Sequence, residues 1–179
     1  MRNIKNFIIG NGLGLILIVI GVLLRLIPHL PNFVPVGAVA LFGGSVLGRK
    51  SAIVIPLSIM VLSDVFLGLH SVIGYTWGGF LLIGIFAFHF LRDRVSPVRV
   101  VVASLVGSTI FFVVSNLGVW LSGFLYPLTF AGLVQCFYMA LPFFRSTLVS
   151  DFLYSGILFG VYALARRMVV RDVPVKLGK

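Results

Sequence analysis

Four ionisable residues stand inside or at the edge of apolar stretches: Arg25, Asp64, Arg145 and Asp151. Two arginines and two aspartates can neutralise one another as buried ion pairs. They can equally present guanidinium donors and carboxylate acceptors to a polar ligand. Asp64 and Asp151 on separate helices also meet the first requirement of a paired-carboxylate hydrolase. Nearby arginines, however, keep both carboxylates ionised rather than sharing a proton, and neither aspartate sits in a glycine-rich catalytic signature. His29, Asn32, His70, Asn116 and Trp120 add imidazole, amide and indole groups close to the same four residues. Two histidines without a close acidic or cysteine partner are a weak metal pattern, and each reads first as an interfacial residue or helix cap. Cys136 is the single cysteine, which leaves no intramolecular disulfide and reads as a small apolar filler. No residue is assigned as a metal ligand or as catalytic.

The elements that must hold these residues are membrane helices. Hydrophobic residues make up 60% of the chain and only 4 residues are acidic, too few to solubilise a globular surface. Lipid is the remaining solvent for the exterior. The net charge of +10 is spread over helix ends rather than one patch, which argues for topology and against nucleic acid. Spanning takes roughly 20 apolar residues, and the hydropathy pattern predicts helices at about 7–27, 33–48, 51–69, 72–91, 99–121 and 146–165. The N-terminal run lacks a small-x-small cleavage site and is long enough to span, so it counts as the first helix rather than a signal peptide. The segment 122–145 is apolar and aromatic but interrupted by Pro127 and Pro142.

Loop charge decides how that segment is read. With six spans and a cytoplasmic N-terminus, Arg2, Lys5, Arg49, Lys50, Arg92, Arg94, Arg99, Arg166, Arg167, Arg171, Lys176 and Lys179 all lie inside, leaving Arg25 and Arg145 outside. A seventh span would place the C-terminal cations outside, against the positive-inside rule. The expectation is therefore an all-α, six-helix membrane bundle forming a single domain over 1–179, both termini cytoplasmic, with an outer interfacial segment before the last helix. In this arrangement the polar residues gather in one layer on the extracytoplasmic side. Trp77, Trp120, Tyr75 and Tyr126 fit an aromatic belt there. Small residues at four-residue spacing (Gly10 with Gly14, Ala40 with Gly44 and Gly48, Gly74 with Gly78) allow close helix approach, within the chain or toward a partner helix. Leu62-Ser63-Asp64-Val65-Phe66 is echoed by Val149-Ser150-Asp151-Phe152-Leu153, on helices that run oppositely, as an inverted repeat would place them.

The run from Arg25 through Pro28-His29-Leu30-Pro31-Asn32-Phe33-Val34-Pro35-Val36-Gly37 to Gly44 resembles a family of small bacterial inner-membrane proteins of uncharacterised function. Ser63-Asp64 to His70, Ser115-Asn116-Leu117-Gly118-Val119-Trp120 and Pro142-Phe143-Phe144-Arg145-Ser146-Thr147 carry the same resemblance. That family is similar in size, helix count and layout to the S components, the substrate-binding subunits of energy-coupling factor vitamin transporters. The resemblance implies a six-helix bundle with an extracytoplasmic pocket for a vitamin-like solute, formed by Arg25, His29, Asn32, Asp64, His70, Asn116, Trp120, Arg145 and Asp151. It also implies a transmembrane coupling subunit driven by ATPases, docked near Gly10, Gly14, Ala40 and Gly44. No Gly-rich phosphate loop with its lysine occurs in the chain, so an ATP-driven step needs another protein.

Three functions follow as expectations. The leading one is a membrane transport protein that binds a small polar solute. The alternatives are an intramembrane hydrolase using Asp64 and Asp151, and a non-catalytic scaffold for envelope assembly. The scaffold has no need of an outer polar layer.

Overall fold

The computed structural model describes residues 2–92 and 94–171, with side chains described over 12–92 and 94–168. All regular structure among them is helical: α1 (Arg2–Leu26), α2 (Val36–Phe42) running into a π-helical turn (Gly43–Leu47), α3 (Arg49–Leu67), α4 (Ile73–Phe90), α5 (Pro97–Leu121), α6 (Phe130–Met139) and α7 (Leu141–Arg171). Four helices are long and apolar enough to cross a membrane, namely α3, α4, α5 and the Leu141–Met168 part of α7. Shorter apolar helices occupy Gly12–Leu26, Val36–Leu47 and Phe130–Met139. Large apolar side chains face outward along the long helices, among them Phe66 and Val98 at 75% and 73% exposure. That is the surface a bundle presents to lipid.

The element boundaries follow local chemistry. α2 begins only at Val36, because Pro31 and Pro35 bracket a turn in which Asn32 adopts φ 59°, a left-handed conformation that asparagine tolerates better than most residues. α5 starts where Ser96 accepts a hydrogen bond from the Arg99 N–H at 3.3 Å, with Pro97 at the first helical position. Within the segment expected to be interfacial, Thr129 caps α6 by accepting from the Gly132 N–H at 3.1 Å. α7 begins at Leu141 rather than at 146, since Pro142 lies in its first turn, where a missing N–H removes no helical bond.

The short α2 is the centre of the fold. All seven of its residues are buried, and it packs against α3, α4, α5 and α7. Leu41 and Phe42 join Ile59 and Met60 of α3, Ile83 of α4 and Phe159 of α7 in one apolar core. Phe42 meets the rings of Phe159 and Tyr162 edge-on at 5.3 and 5.5 Å. Just beyond α2, helix backbones nearly touch. A Cβ on Gly44 would lie 2.3 Å from the Gly84 carbonyl oxygen, and one on Gly84 would lie 2.0 Å from that of Ala52.

Of the small residues expected at a docking face, those whose surroundings are described pack within the bundle. Gly14 faces Ile55 of α3, Ala40 is 0% exposed and Gly44 is closed against α4; the surroundings of Gly10 lie outside the described residues. These positions serve contacts inside the bundle, because close approach of α2, α3 and α4 requires backbones without side chains between them. Replacing Gly84 by Ala is expected to lower stability by about 1–3 kcal/mol, whereas Gly74→Ala, whose added Cβ meets nothing within 4 Å, stays near neutral. Thermal unfolding of the detergent-purified variants checks this, and equal melting temperatures would count against the packing described.

Candidate functional site

Two buried carboxylates organise one end of the bundle, where α1 and α3 finish and α2, α4 and α7 begin. Asp64, in the last turns of α3, is 2% exposed. Arg25 reaches it from the last turn of α1, with Nη1 2.9 Å from Oδ1, and the Trp77 indole N–H of α4 donates to Oδ2 at 2.8 Å. Arg25 also donates to the Ser63 hydroxyl, which in turn donates to the Ile59 carbonyl at 2.6 Å. One ion pair and its hydrogen bonds thus fasten α1, α3 and α4 together.

Asp151 solves a different problem. Helix α2 starts inside the core, and no side chain of its N-cap residue, Pro35, satisfies its first N–H groups. The Asp151 carboxylate, 2% exposed on α7, accepts from the Ala38 N–H and from the Ser108 hydroxyl of α5 at 2.6 Å. A negative charge on a helix N-terminus is favoured by the helix dipole as well as by the free donors. Gly37 makes room for it, since a Cβ there would lie 2.3 Å from Asp151 Oδ1. Ser150 adds a bond to the Val34 carbonyl at 2.9 Å. The two Ser-Asp pairs therefore perform similar fastening with different partners. Both stand at the same end of the bundle, whereas residues related by an inverted repeat would stand at opposite depths; the sequence echo is local.

Between the two carboxylate networks lies a cavity of about 330 Å³. Arg25, His29, Asn32, His70 and Asp151 line it, with Thr76 and Thr147 and the aromatic walls Phe80 and Phe111. It adjoins a second chamber of about 370 Å³ with which it shares Asn32, Thr76, Phe111 and Thr147. The second chamber extends to Ser115, Asn116, Tyr126 and Cys136 beneath α6. His29 is pinned over the end of α1, its ring nitrogens 2.8 and 3.3 Å from the Leu30 and Arg25 carbonyl oxygens. Thr76 and Thr147 donate to the Ile73 and Phe143 carbonyls at 2.9 and 3.0 Å, which leaves their hydroxyl oxygens as acceptors. Asn116 donates to the Phe112 carbonyl at 2.7 Å. The Cys136 thiol donates to the Asn116 carbonyl at 3.5 Å, and burial pushes it up from its ordinary value.

The chambers gather some expected residues and leave others out. Arg25, His29, Asn32, His70 and Asp151 meet in the first, and Asn116 lies in the second. Asp64 stands behind Arg25 and does not reach either cavity. Arg145 is exposed and lines neither, because at 3.6 residues per turn it projects roughly 200° away from Thr147. Trp120 also lines neither and donates to the Pro127 carbonyl at 3.1 Å. Thr76, Thr147, Phe80 and Phe111 were not expected. Thr147 had one available signal, its place four residues before Asp151 on the same helix face.

Chemically, the chambers offer guanidinium, imidazole, amide and hydroxyl groups against aromatic walls, a set suited to holding a polar molecule by directed hydrogen bonds. Among the described residues no group of three His, Cys, Asp or Glu side chains is arranged to hold a metal ion. An all-helical bundle with four helices able to cross a membrane, enclosing such chambers at one end, has the build of a helical membrane protein. The chain belongs to a family of unknown function (DUF6580), whose model matches residues 6–174. No curated protein and no solved structure matches the chain.

The two networks make separable predictions. Asp64→Leu alone leaves the Arg25 guanidinium without its partner and is expected to cost about 3–5 kcal/mol; the pair Arg25→Leu with Asp64→Leu recovers most of it. Asp151→Leu leaves donors of α2 unsatisfied, a loss of about 1–3 kcal/mol, while Asp151→Asn keeps an acceptor and loses less. Chemical or thermal unfolding in detergent measures both, and a double Leu variant as unstable as Asp64→Leu would contradict the pairing.

Proposed function

We propose that this protein is a solute-binding membrane transport protein, similar to an S component, that holds a small polar molecule in the chamber between Arg25 and Asp151. The observation that carries the reading is the convergence of five separate polar residues, Arg25, His29, Asn32, His70 and Asp151, on one cavity at one end of the bundle. The loops supply three of them, as is common for binding residues positioned by a rigid scaffold. The lysines and arginines at the opposite helix ends favour a topology of six spans, counting α1, α2 with its π turn, α3, α4, α5 and α7. In that topology both termini face the cytoplasm and the chamber opens on the extracytoplasmic side of a bacterial inner membrane. Helix α6 then lies at the outer interface and roofs the second chamber. Energy for release into the cell comes from a separate transmembrane subunit with ATPases, as the family resemblance implies.

A paired-carboxylate hydrolase is less well supported. Asp64 is occupied by Arg25 and Trp77, Asp151 by Ser108 and the α2 N-terminus. The two therefore have separate partners and share no proton.

Mass spectrometry of the protein purified in mild detergent is expected to reveal one co-purifying small polar molecule. Thr147→Val and Asn32→Ala are then expected to weaken its binding by about tenfold each, as loss of one directed hydrogen bond does, and Arg145→Ala to leave it unchanged. Equal binding by wild type, Thr147→Val and Asn32→Ala would rule out the chamber as the solute site.

A further inference from the structure

Away from the chamber, α5 and α7 leave a groove of about 350 Å³ between them. Val100, Val101 and Phe159 give it apolar walls, and Gly156 and Gly160 open its side, since an added Cβ at either would meet nothing within 4 Å. Ser104 and Ser155 also line it. Each is 1% exposed, and their hydroxyls are the buried side-chain polar atoms without a hydrogen-bond partner among the described residues. A helical serine ordinarily returns its proton to a carbonyl one turn back, as Ser63 and Ser115 do at 2.6 Å. Both hydroxyl oxygens are closed off from the open space, so the two residues form the floor of the groove.

The groove's mouth carries charge. Val95, Ser96 and Pro97 border it on one side and Ala163 on the other. Arg94 directly precedes Val95, and Arg167 stands one turn beyond Ala163 on the same helix face; both are exposed. Arg99 and Arg166 stand at the same end, engaged with the Phe90 carbonyl at 3.1 Å and with the Tyr162 ring at 5.9 Å. The acidic residues near this end in the sequence, Asp93 and Asp172, lie outside the described residues and are fewer than the arginines. Ser104 and Ser155 lie seven and eight residues along their helices from Pro97 and Ala163, so both sit roughly 10–12 Å below the mouth.

We propose that this groove binds one anionic glycerophospholipid. An acyl chain fills the apolar slot down to Ser104 and Ser155, and the phosphate lies between Arg94 and Arg167. The pairing of a cationic mouth with an apolar slot matches the two ends of such a molecule. A partner helix fits less well, because α5 and α7 pack directly against each other. The gap between packed helices admits a hydrocarbon chain, not a helix about 10 Å across.

The test is native mass spectrometry of the full chain after exchange into detergent micelles containing equal phosphatidylglycerol and phosphatidylcholine. Wild type is expected to retain one phosphatidylglycerol per chain, in preference to phosphatidylcholine by on the order of tenfold. Arg94→Ala with Arg167→Ala should abolish the preference without abolishing occupancy, and Gly156→Leu with Gly160→Leu should block the slot and remove both. Phe66→Ala, on the far end of the bundle, should change neither. A wild type without preference, or a Leu variant that retains the lipid, would overturn the proposal. A second protein chain displaced by the Leu variant irrespective of lipid would overturn it in favour of a helix. Circular dichroism and melting of each variant show that a lost lipid is not a lost fold.

Discussion

A helix that begins inside an apolar core must give its first N–H groups to another part of the protein, because no water is there to take them. Helix α2 is in that position, with every residue buried and a proline as its N-cap. The Asp151 carboxylate supplies the acceptor, Ser108 holds the carboxylate from α5, and Gly37 leaves the space in which it sits. This interaction fixes where α7 crosses α2, and with it the central packing of Leu41, Phe42 and Phe159. Had the carboxylate been replaced by an apolar side chain, α2 would have gained apolar contact and kept its unsatisfied donors.

The second carboxylate acts on the outer ring of helices. Asp64 is held by Arg25 of α1 and Trp77 of α4, so α1, α3 and α4 are joined at the same end at which α2, α5 and α7 are joined by Asp151. Both networks use their polar groups internally and leave a space between them rather than closing it. The walls of that space are the residues that the networks only partly consume: the remaining N–H groups of Arg25, the hydroxyl oxygens of Thr76 and Thr147, and the side chains of Asn32 and His70. Structural satisfaction and ligand recognition thus draw on the same residues in different proportions.

The helices and most of the polar residues were legible in the sequence, since apolar length and isolated charge are signals that survive without coordinates. A common depth for Arg25 and Asp64 was legible, but which arginine meets which aspartate was not. Nor was the partner of Asp151, because it is a backbone N–H, which has no side-chain signature. Arg145 and Trp120 stand at the expected end but turn away from the cavity, a matter of helix rotation that a depth argument cannot resolve. Thr76 and Thr147 escaped notice because hydroxyls on helices usually satisfy themselves locally. Gly14, Ala40 and Gly44 showed a spacing that fits either a partner or the chain's own helices, and their use inside the bundle became visible only with coordinates, where a Cβ added to Gly44 would lie 2.3 Å from the Gly84 carbonyl oxygen.

In the proposed topology the cavity between the two carboxylate networks opens on the extracytoplasmic face. Labelling with a membrane-impermeant maleimide tests it, using Cys136→Ala protein that carries a single new cysteine in place of Thr147, or of Leu105 on the lipid-facing side of α5 as a control. The account predicts that the Thr147→Cys protein reacts in intact cells and that the Leu105→Cys protein does not. Reaction of the Thr147→Cys protein only after the membrane is broken, or no faster than that of the control, would contradict it.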